Sequence, residues 1–187
     1  MTDITGENTT IAAISTPPGS GGIGIIRMSG PASLTVLKSI FKPHSDSCDF
    51  RSHTLFYGNI VDPQTEKLLD EVLVVYMQSP KTYTREDVVE IHCHGSFLVL
   101  QNILECLLHH DVELAEPGEF TRRALLNGKL DLLGAEAVAD LADADTAVQR
   151  DQALDQLGGG RRRLGLCACR RPLAAWAGRR QRPQRRR

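Results

Sequence analysis

The sequence predicts an α+β domain, followed by helices and then by an Arg-rich tail. Short β-branched runs typical of strands are mixed with amphipathic helical stretches, without the strict alternation of a doubly wound sheet. From Pro117 onward, helical patterns replace strand patterns, and from residue 161 onward neither pattern is present. We therefore predict an α+β domain over 1–116, the start of a helical domain over 117–157 and a disordered tail over 158–187.

The first element is followed by the glycine-rich stretch PPGSGGIGIIRMSG, in which Gly19, Gly21 and Gly24 fit the G-x-G-x-x-G pattern of a dinucleotide-binding loop. Such a loop opens directly into a helix, whose N-terminus holds the pyrophosphate. Here a β-branched run over 23–28 follows instead, which is typical of a strand. We therefore interpret the glycines as a turn, with φ > 0 positions, between strands over 11–15 and 23–28.

The following elements are predicted from periodicity and turn residues. Gly30-Pro31 opens a helix that ends near Lys42-Pro43. Strands over 53–61 and 71–78 form a hairpin, because the turn-like DPQTEK separates them. A strand over 87–92 and a helix over 96–110 come next, and the helix is expected to bury Phe97, Leu100, Leu104 and Leu107.

The last predicted elements are two helices. A short one begins at Pro117-Gly118 and stops at Asn127-Gly128. A long helix over 132–157 has an acidic face and a narrow apolar stripe that requires a partner helix. The stripe consists of Leu133, Ala137, Leu141, Ala144 and Val148.

The charge of the chain is divided unevenly. The 187 residues contain 22 Lys/Arg and 23 Asp/Glu, but residues 161–187 contain 11 Arg and no acid. Arg clusters bind RNA, DNA or anionic lipid. Translation of a G+C-rich sequence in the wrong frame gives the same residue types, and we favour this second interpretation of the tail.

The sequence also predicts the compartment. No apolar run approaches 18 residues and the N-terminus lacks a basic segment, so we predict neither a membrane span nor a signal peptide and expect a cytoplasmic protein. The five cysteines are odd in number and irregularly spaced, which predicts reduced thiols rather than a disulfide framework.

Two motifs on the strand over 87–92 contain groups that could carry chemistry. His92-Cys93-His94 places two imidazoles on one face, but two ligands are too few for a metal, and we predict no metal site. Glu90 interrupts an otherwise apolar run. It is either the solvent-facing position of an alternating strand or an acceptor for a ligand with paired N–H donors, such as a pterin. In the second case Arg27 and Lys129 would supply cations for an anionic heterocycle.

Three separated motifs resemble one known family. STPPGSGGIGIIRMSG, YTREDVVEIHCHG and PGEFTRRALLNGKLDLLGAEAVADL, in this order, are similar to the N-terminal part of the tRNA modification GTPases called MnmE or TrmE. The resemblance covers residues 8 to 157. It implies an α+β domain, similar to the folate-binding modules of glycine cleavage enzymes, that forms a homodimer and binds 5-formyl- or 5,10-methylene-tetrahydrofolate.

The resemblance also implies site residues and partners. The family's folate contacts fall on Arg27 in GIGIIRMSG, Glu90 in EDVVEIHCHG and Lys129 in LNGKLDL. No catalytic residue is expected. With a flavoprotein partner, the family modifies C5 of the wobble uridine of certain tRNAs, and folate supplies the one-carbon unit.

The chain departs from the family pattern in one respect above all. It contains no G-x-x-x-x-G-K-[ST], so we expect a truncated member without the GTPase domain and its GTP, Mg and K sites. We therefore expect the folate-binding, dimerising portion of a tRNA modification GTPase. The alternatives are a dimerisation fragment without ligand and an RNA-binding protein that uses its Arg-rich tail.

Overall fold

The computed structural model describes residues 9–17, 19, 21–45 and 49–158. This part of the chain divides between Ala135 and Glu136 into two compact units. The predicted tail therefore lies, from residue 159 onward, outside the described residues. The predicted domain boundary at residue 117 stays a prediction, although the first unit continues past it.

The first unit is a sheet with helices, and the second is helical. In chain order the elements are β1 Thr10–Ile14, β2 Ile23–Ser29, α1 Ser33–Ile40, β3 Phe41–Pro43, β4 Thr54–Val61, β5 Leu68–Met77, β6 Val88–His94, α2 Phe97–Leu108, β7 Val112–Leu114, α3 Glu119–Leu126, α4 Leu132–Ala142 and α5 Ala147–Leu157. The strands and helices are mixed without regular alternation, so the predicted α+β class is confirmed.

The seven strands form one sheet in the order β3-β4-β5-β6-β2-β1-β7. Neighbouring strands are antiparallel except for β1 and β7, which are parallel. The central strands β2 and β6 pair along their whole lengths, from Ile23 opposite His94 to Ser29 opposite Val88. This register fixes which side chains of the two strands stand next to each other on each face.

The core lies on one face of the sheet, beneath α1 and α2. Leu37 of α1 and Ile103 and Leu107 of α2 are fully buried against Ile26 of β2 and Ile91 of β6. Because side chains alternate along a strand, the neighbours of these core residues point to the opposite face. That opposite face therefore carries the polar residues of β2 and β6.

Most predicted elements are confirmed, and the differences have local causes. The glycines that precede β2 lie in a turn between the antiparallel strands β1 and β2, as predicted, and among the described glycines of this turn only Gly19 has a positive φ, of 147°. The prediction that Phe97 is buried is wrong. It is the first residue of α2 and is 71% exposed, whereas Leu100 and Leu107 reach the core.

The predicted long helix over 132–157 is also wrong. It is two helices, α4 and α5, separated by residues 143–146. Thr146 begins α5 with a capping box, in which its hydroxyl accepts from the Gln149 N–H and the Gln149 side chain accepts from the Thr146 N–H. Leu133 and Val148, two members of the predicted stripe, are exposed. No helix of the described residues is long and apolar enough to cross a membrane.

Candidate functional site

The face of the sheet opposite the core carries a cross-strand ion pair. Arg27 of β2 stands directly opposite Glu90 of β6 in the antiparallel register. The Arg27 Nε lies 2.9 Å and its Nη2 lies 2.7 Å from the Glu90 Oε1. Two of the three predicted site residues are therefore in direct contact, through one carboxylate oxygen.

The second oxygen of Glu90 is differently placed. Its Oε2 accepts no hydrogen bond from any residue that the structure describes, and the Nε2 of His92 lies 3.5 Å from it. The Glu90 side chain is 18% exposed, so solvent or a ligand can reach part of it. A carboxylate with one oxygen bound by Arg and one free retains acceptor sites for an N–H donor.

Helix α3 lies beside this pair. The guanidinium carbon of Arg27 is 5.7 Å from the ring centroid of Phe120, within the range of a cation–π contact. Phe120 therefore forms one wall next to the ion pair. The sequence pattern indicated an apolar residue of the helix at this position, but not that its ring would meet Arg27.

Lys129, the third predicted residue, lies in the turn after α3. Its backbone N–H donates to the Ala124 carbonyl at 2.8 Å, and its side chain is exposed. Within the described ranges the Lys129 side chain forms no hydrogen bond or ion pair, so the structure does not bring it into contact with Arg27 or Glu90. The turn is held by Asn127, whose Nδ2 donates to the Thr84 carbonyl at 2.7 Å.

A second charged cluster attaches α3 to the sheet. Arg123 is 5% exposed, and its Nη1 donates to the Thr9 carbonyl at 2.7 Å and lies 3.3 Å from the Glu86 Oε2. Its Nη2 donates to Glu119 at 3.0 Å, and Ser29 donates to Glu86 at 2.7 Å. Sequence reasoning missed this cluster, although the spacing of Glu119 and Arg123 by four residues on a helix was a visible signal.

The remaining chemical groups do not form a metal or thiol centre in the part of the chain described. No three His, Cys, Asp or Glu side chains lie together in a way that could hold a metal ion. Cys93 and Cys106 are free and buried. Burial, reinforced by the charge of Asp70 for Cys93 and of Asp62 for Cys106, raises the pKa of both thiols to about 11, so neither is an activated nucleophile.

One cavity is present in the second unit. It has a volume of about 200 Å³ and is lined mainly by carboxylates and amides of α4, α5 and their connection. None of the predicted site residues contributes to it. The candidate site is therefore the open sheet face around Arg27 and Glu90 rather than this cavity.

Comparisons with known proteins identify relatives of this chain. The family model described as "GTP-binding protein TrmE N-terminus" matches residues 10–129. The chain is 61% identical over 153 residues to the tRNA modification GTPase MnmE of Desulfotalea psychrophila, which covers 82% of this chain and 32% of that protein. It is 56% identical over 155 residues to the protein of the same name from Lactiplantibacillus plantarum, covering 83% and 33%.

A third relative, the tRNA modification GTPase MnmE of a Thermoanaerobacter species, is 55% identical over 152 residues, covering 80% of this chain and 33% of that protein. The chain thus spans about one third of the length of the curated relatives that it matches. The family match and these identities together show that this chain belongs to the TrmE family and corresponds to the N-terminal region of its members.

Proposed function

We propose that this chain is the folate-binding and dimerising portion of a tRNA modification GTPase. The ligand would be 5-formyl- or 5,10-methylene-tetrahydrofolate, which supplies a one-carbon unit for C5 of the wobble uridine. The observation that carries the proposal is the Arg27–Glu90 pair, because Arg27 contacts only the Oε1 of Glu90 and the Glu90 side chain is 18% exposed.

The chemistry of the site supports a pterin. The pterin edge presents an amino group beside a ring N–H, and a carboxylate accepts such a donor pair. Arg27 holds one oxygen of the carboxylate, because its Nε–H donates to Oε1 and its Nη2 lies 2.7 Å from the same atom. Lys129 is an exposed cation without a partner in the described part of the chain. We propose that its ammonium group pairs with negative charge on the folate.

The function of such a site is positioning rather than bond chemistry. Arg27, Glu90 and Lys129 would fix the orientation of the reduced pterin, so that its one-carbon unit faces the reacting partner. The chain contains no G-x-x-x-x-G-K-[ST], so the proposal assigns no GTP hydrolysis to these residues. The flavoprotein partner and tRNA would act with this portion in the cytoplasm.

A homodimer is supported by apolar surface on β4 and β5. Leu55, Tyr57 and Leu73 are 54%, 51% and 41% exposed, and Tyr57 stands opposite Leu73 in the register. Contiguous exposed apolar side chains of this kind mark protein interaction surfaces. Sedimentation velocity should give a dimer for the full chain, and Leu73→Arg should shift it to a monomer.

Isothermal titration calorimetry with 5-formyltetrahydrofolate tests the folate site. Glu90→Gln keeps the shape of the side chain but removes its charge, so we expect a loss of affinity of roughly 10- to 100-fold, the worth of a hydrogen bond to a charged group. Glu113→Gln, at an exposed position of the edge strand β7, is the matched control and should bind as the wild type does. Equal affinities for both variants would contradict the proposal.

Two alternatives have distinct outcomes in the same experiments. A dimerisation fragment without ligand would sediment as a dimer and give no heat with folate. An RNA-binding protein that uses the Arg-rich tail would lose tRNA affinity when residues 161–187, which lie outside the described residues, are deleted. Retention of tRNA affinity in that deletion would exclude the tail.

A further inference from the structure

His92 is the polar side chain next to Glu90 that the proposed site does not yet use. Its Nε2 is buried and has no hydrogen-bond partner in the described part of the chain. The nearest charged atom is the Oε2 of Glu90, at 3.5 Å. A buried polar atom without a partner costs free energy, so its retention requires a physical reason.

The position of the hydrogen on the His92 ring decides whether the contact between Nε2 and the Glu90 Oε2 is favourable. A neutral imidazole carries hydrogen on one nitrogen and a lone pair on the other. A lone pair on Nε2 would face the negative charge on Oε2, whereas a hydrogen on Nε2 would be attracted to it. Glu90 therefore favours the form of His92 with hydrogen on Nε2.

The register neighbours of His92 offer it no polar side chain. The strand neighbours of His92 in the register are Ile25 on β2 and Leu73 on β5, which are apolar. His94, on the same face, is already engaged, because its Nδ1 lies 2.8 Å from Asp70. Of the two imidazoles of β6, only His92 faces Glu90.

We propose that His92 is a positioning residue for Glu90, acting through an Nε2–H directed at Oε2. Arg27 holds Oε1 from one side and His92 approaches Oε2 from the other, so together they fix the plane of the carboxylate. A fixed plane keeps the remaining acceptor capacity of Oε2 directed at the donors of the pterin edge. The inference rests on the folate site proposed above and assigns that site a third side chain.

Three substitutions separate a hydrogen-bonding role from a space-filling one. In His92→Gln the amide N–H occupies the place of Nε2–H, whereas in His92→Asn it occupies the place of Nδ1. His92→Leu fills similar space without a donor. We expect 5-formyltetrahydrofolate affinity within about 3-fold of wild type for Gln and a loss of about 10-fold for Asn and Leu. His94→Leu is the control and should not change affinity.

Nitrogen NMR of the full chain gives a readout that needs no bound ligand, and its main result comes from the wild type. We expect the ring signal of His92 to show hydrogen on Nε2, and to change in Glu90→Gln. A bare Nε2 in the wild type overturns the inference, as does full affinity in His92→Leu. If wild type binds no folate, the proposed function fails, and the NMR result still decides whether His92 and Glu90 are coupled.

Discussion

Replacement of Arg123 by Ala should destabilise the first unit more than any neighbouring surface substitution. Arg123 is 5% exposed and donates to the Thr9 carbonyl, the Thr9 hydroxyl and the Glu119 carboxylate. It also lies 3.3 Å from Glu86, whose side chain is 17% exposed. The substitution removes the cation that these two acidic side chains share.

The size of the stability loss depends on the groups that stay buried without Arg123. Glu119 and Glu86 would remain 12% and 17% exposed without their cation, and the Thr9 carbonyl would lose its donor. Removal of one partner of a buried ion pair costs about 3–5 kcal/mol, because an uncompensated charge stays buried. Against a typical total stability of about 5–15 kcal/mol, this loss is a large fraction of the whole.

Urea denaturation measures this loss. With an m-value of about 2 kcal/mol/M, a loss of 3–5 kcal/mol lowers the unfolding midpoint by roughly 1.5–2.5 M. Arg122→Ala is the matched control at the adjacent position. The Arg122 side chain is 56% exposed and lies 3.9 Å from Glu116, so its removal should change stability by less than about 0.5 kcal/mol.

Equal midpoints for the two variants would refute this reasoning, because they would mean that the cluster around Arg123 contributes no more than a surface pair. Glu86→Gln provides a second check. It should recover part of the stability of Arg123→Ala when the two substitutions are combined, since it removes one of the uncompensated charges.

Four further predictions concern other parts of the structure. Cys93 and Cys106 should resist iodoacetamide at pH 8 until urea is added, as measured by peptide mass spectrometry, because burial raises the pKa of both thiols to about 11. Since these pKa values are raised above the ordinary value of 9.0, the stability linked to the protonated thiols is complete below pH 9 and should be lost between pH 9 and 11 in urea titrations. Gly30→Ala should cost about 2 kcal/mol or more in the same assay, because Gly30 has φ 136° and an added Cβ would lie 2.6 Å from the Thr10 Cα. Thr146→Ala should cost α5 about 1 kcal/mol of N-terminal capping, visible as faster amide hydrogen exchange in that helix.

Strand periodicity predicted most of the sheet, and its limits are physical. β3 and β7 are three residues long, too short to carry an alternating pattern, and they exist because β4 and β1 offer free edges for pairing. The break between α4 and α5 had a visible signal, because Thr146 and Gln149 have the spacing of a capping box. The apolar stripe concealed it, since the spacing of the stripe continues through the break.

The candidate site was predictable by residue type but not by geometry. Arg27 and Glu90 stood out as charges in apolar runs. Their direct contact depends on the register of β2 against β6, which a one-residue shift would destroy. The contact of Phe120 with Arg27 and the burial of Arg123 depend on how α3 packs against the sheet. The periodicity of the sequence does not predict that orientation.

The two charged clusters of the first unit differ in what the fold requires of them. The Arg27–Glu90 pair is 32% and 18% exposed, and an ion pair of that exposure contributes about 1 kcal/mol or less to stability. Such a small contribution does not explain why two charged residues stand in the largely apolar strands β2 and β6. The buried guanidinium of Arg123, in contrast, requires the acidic side chains around it. Since we expect the fold to depend on the Arg123 cluster and only weakly on Glu90, a loss of ligand affinity in Glu90→Gln with an unchanged unfolding midpoint would report on the site itself.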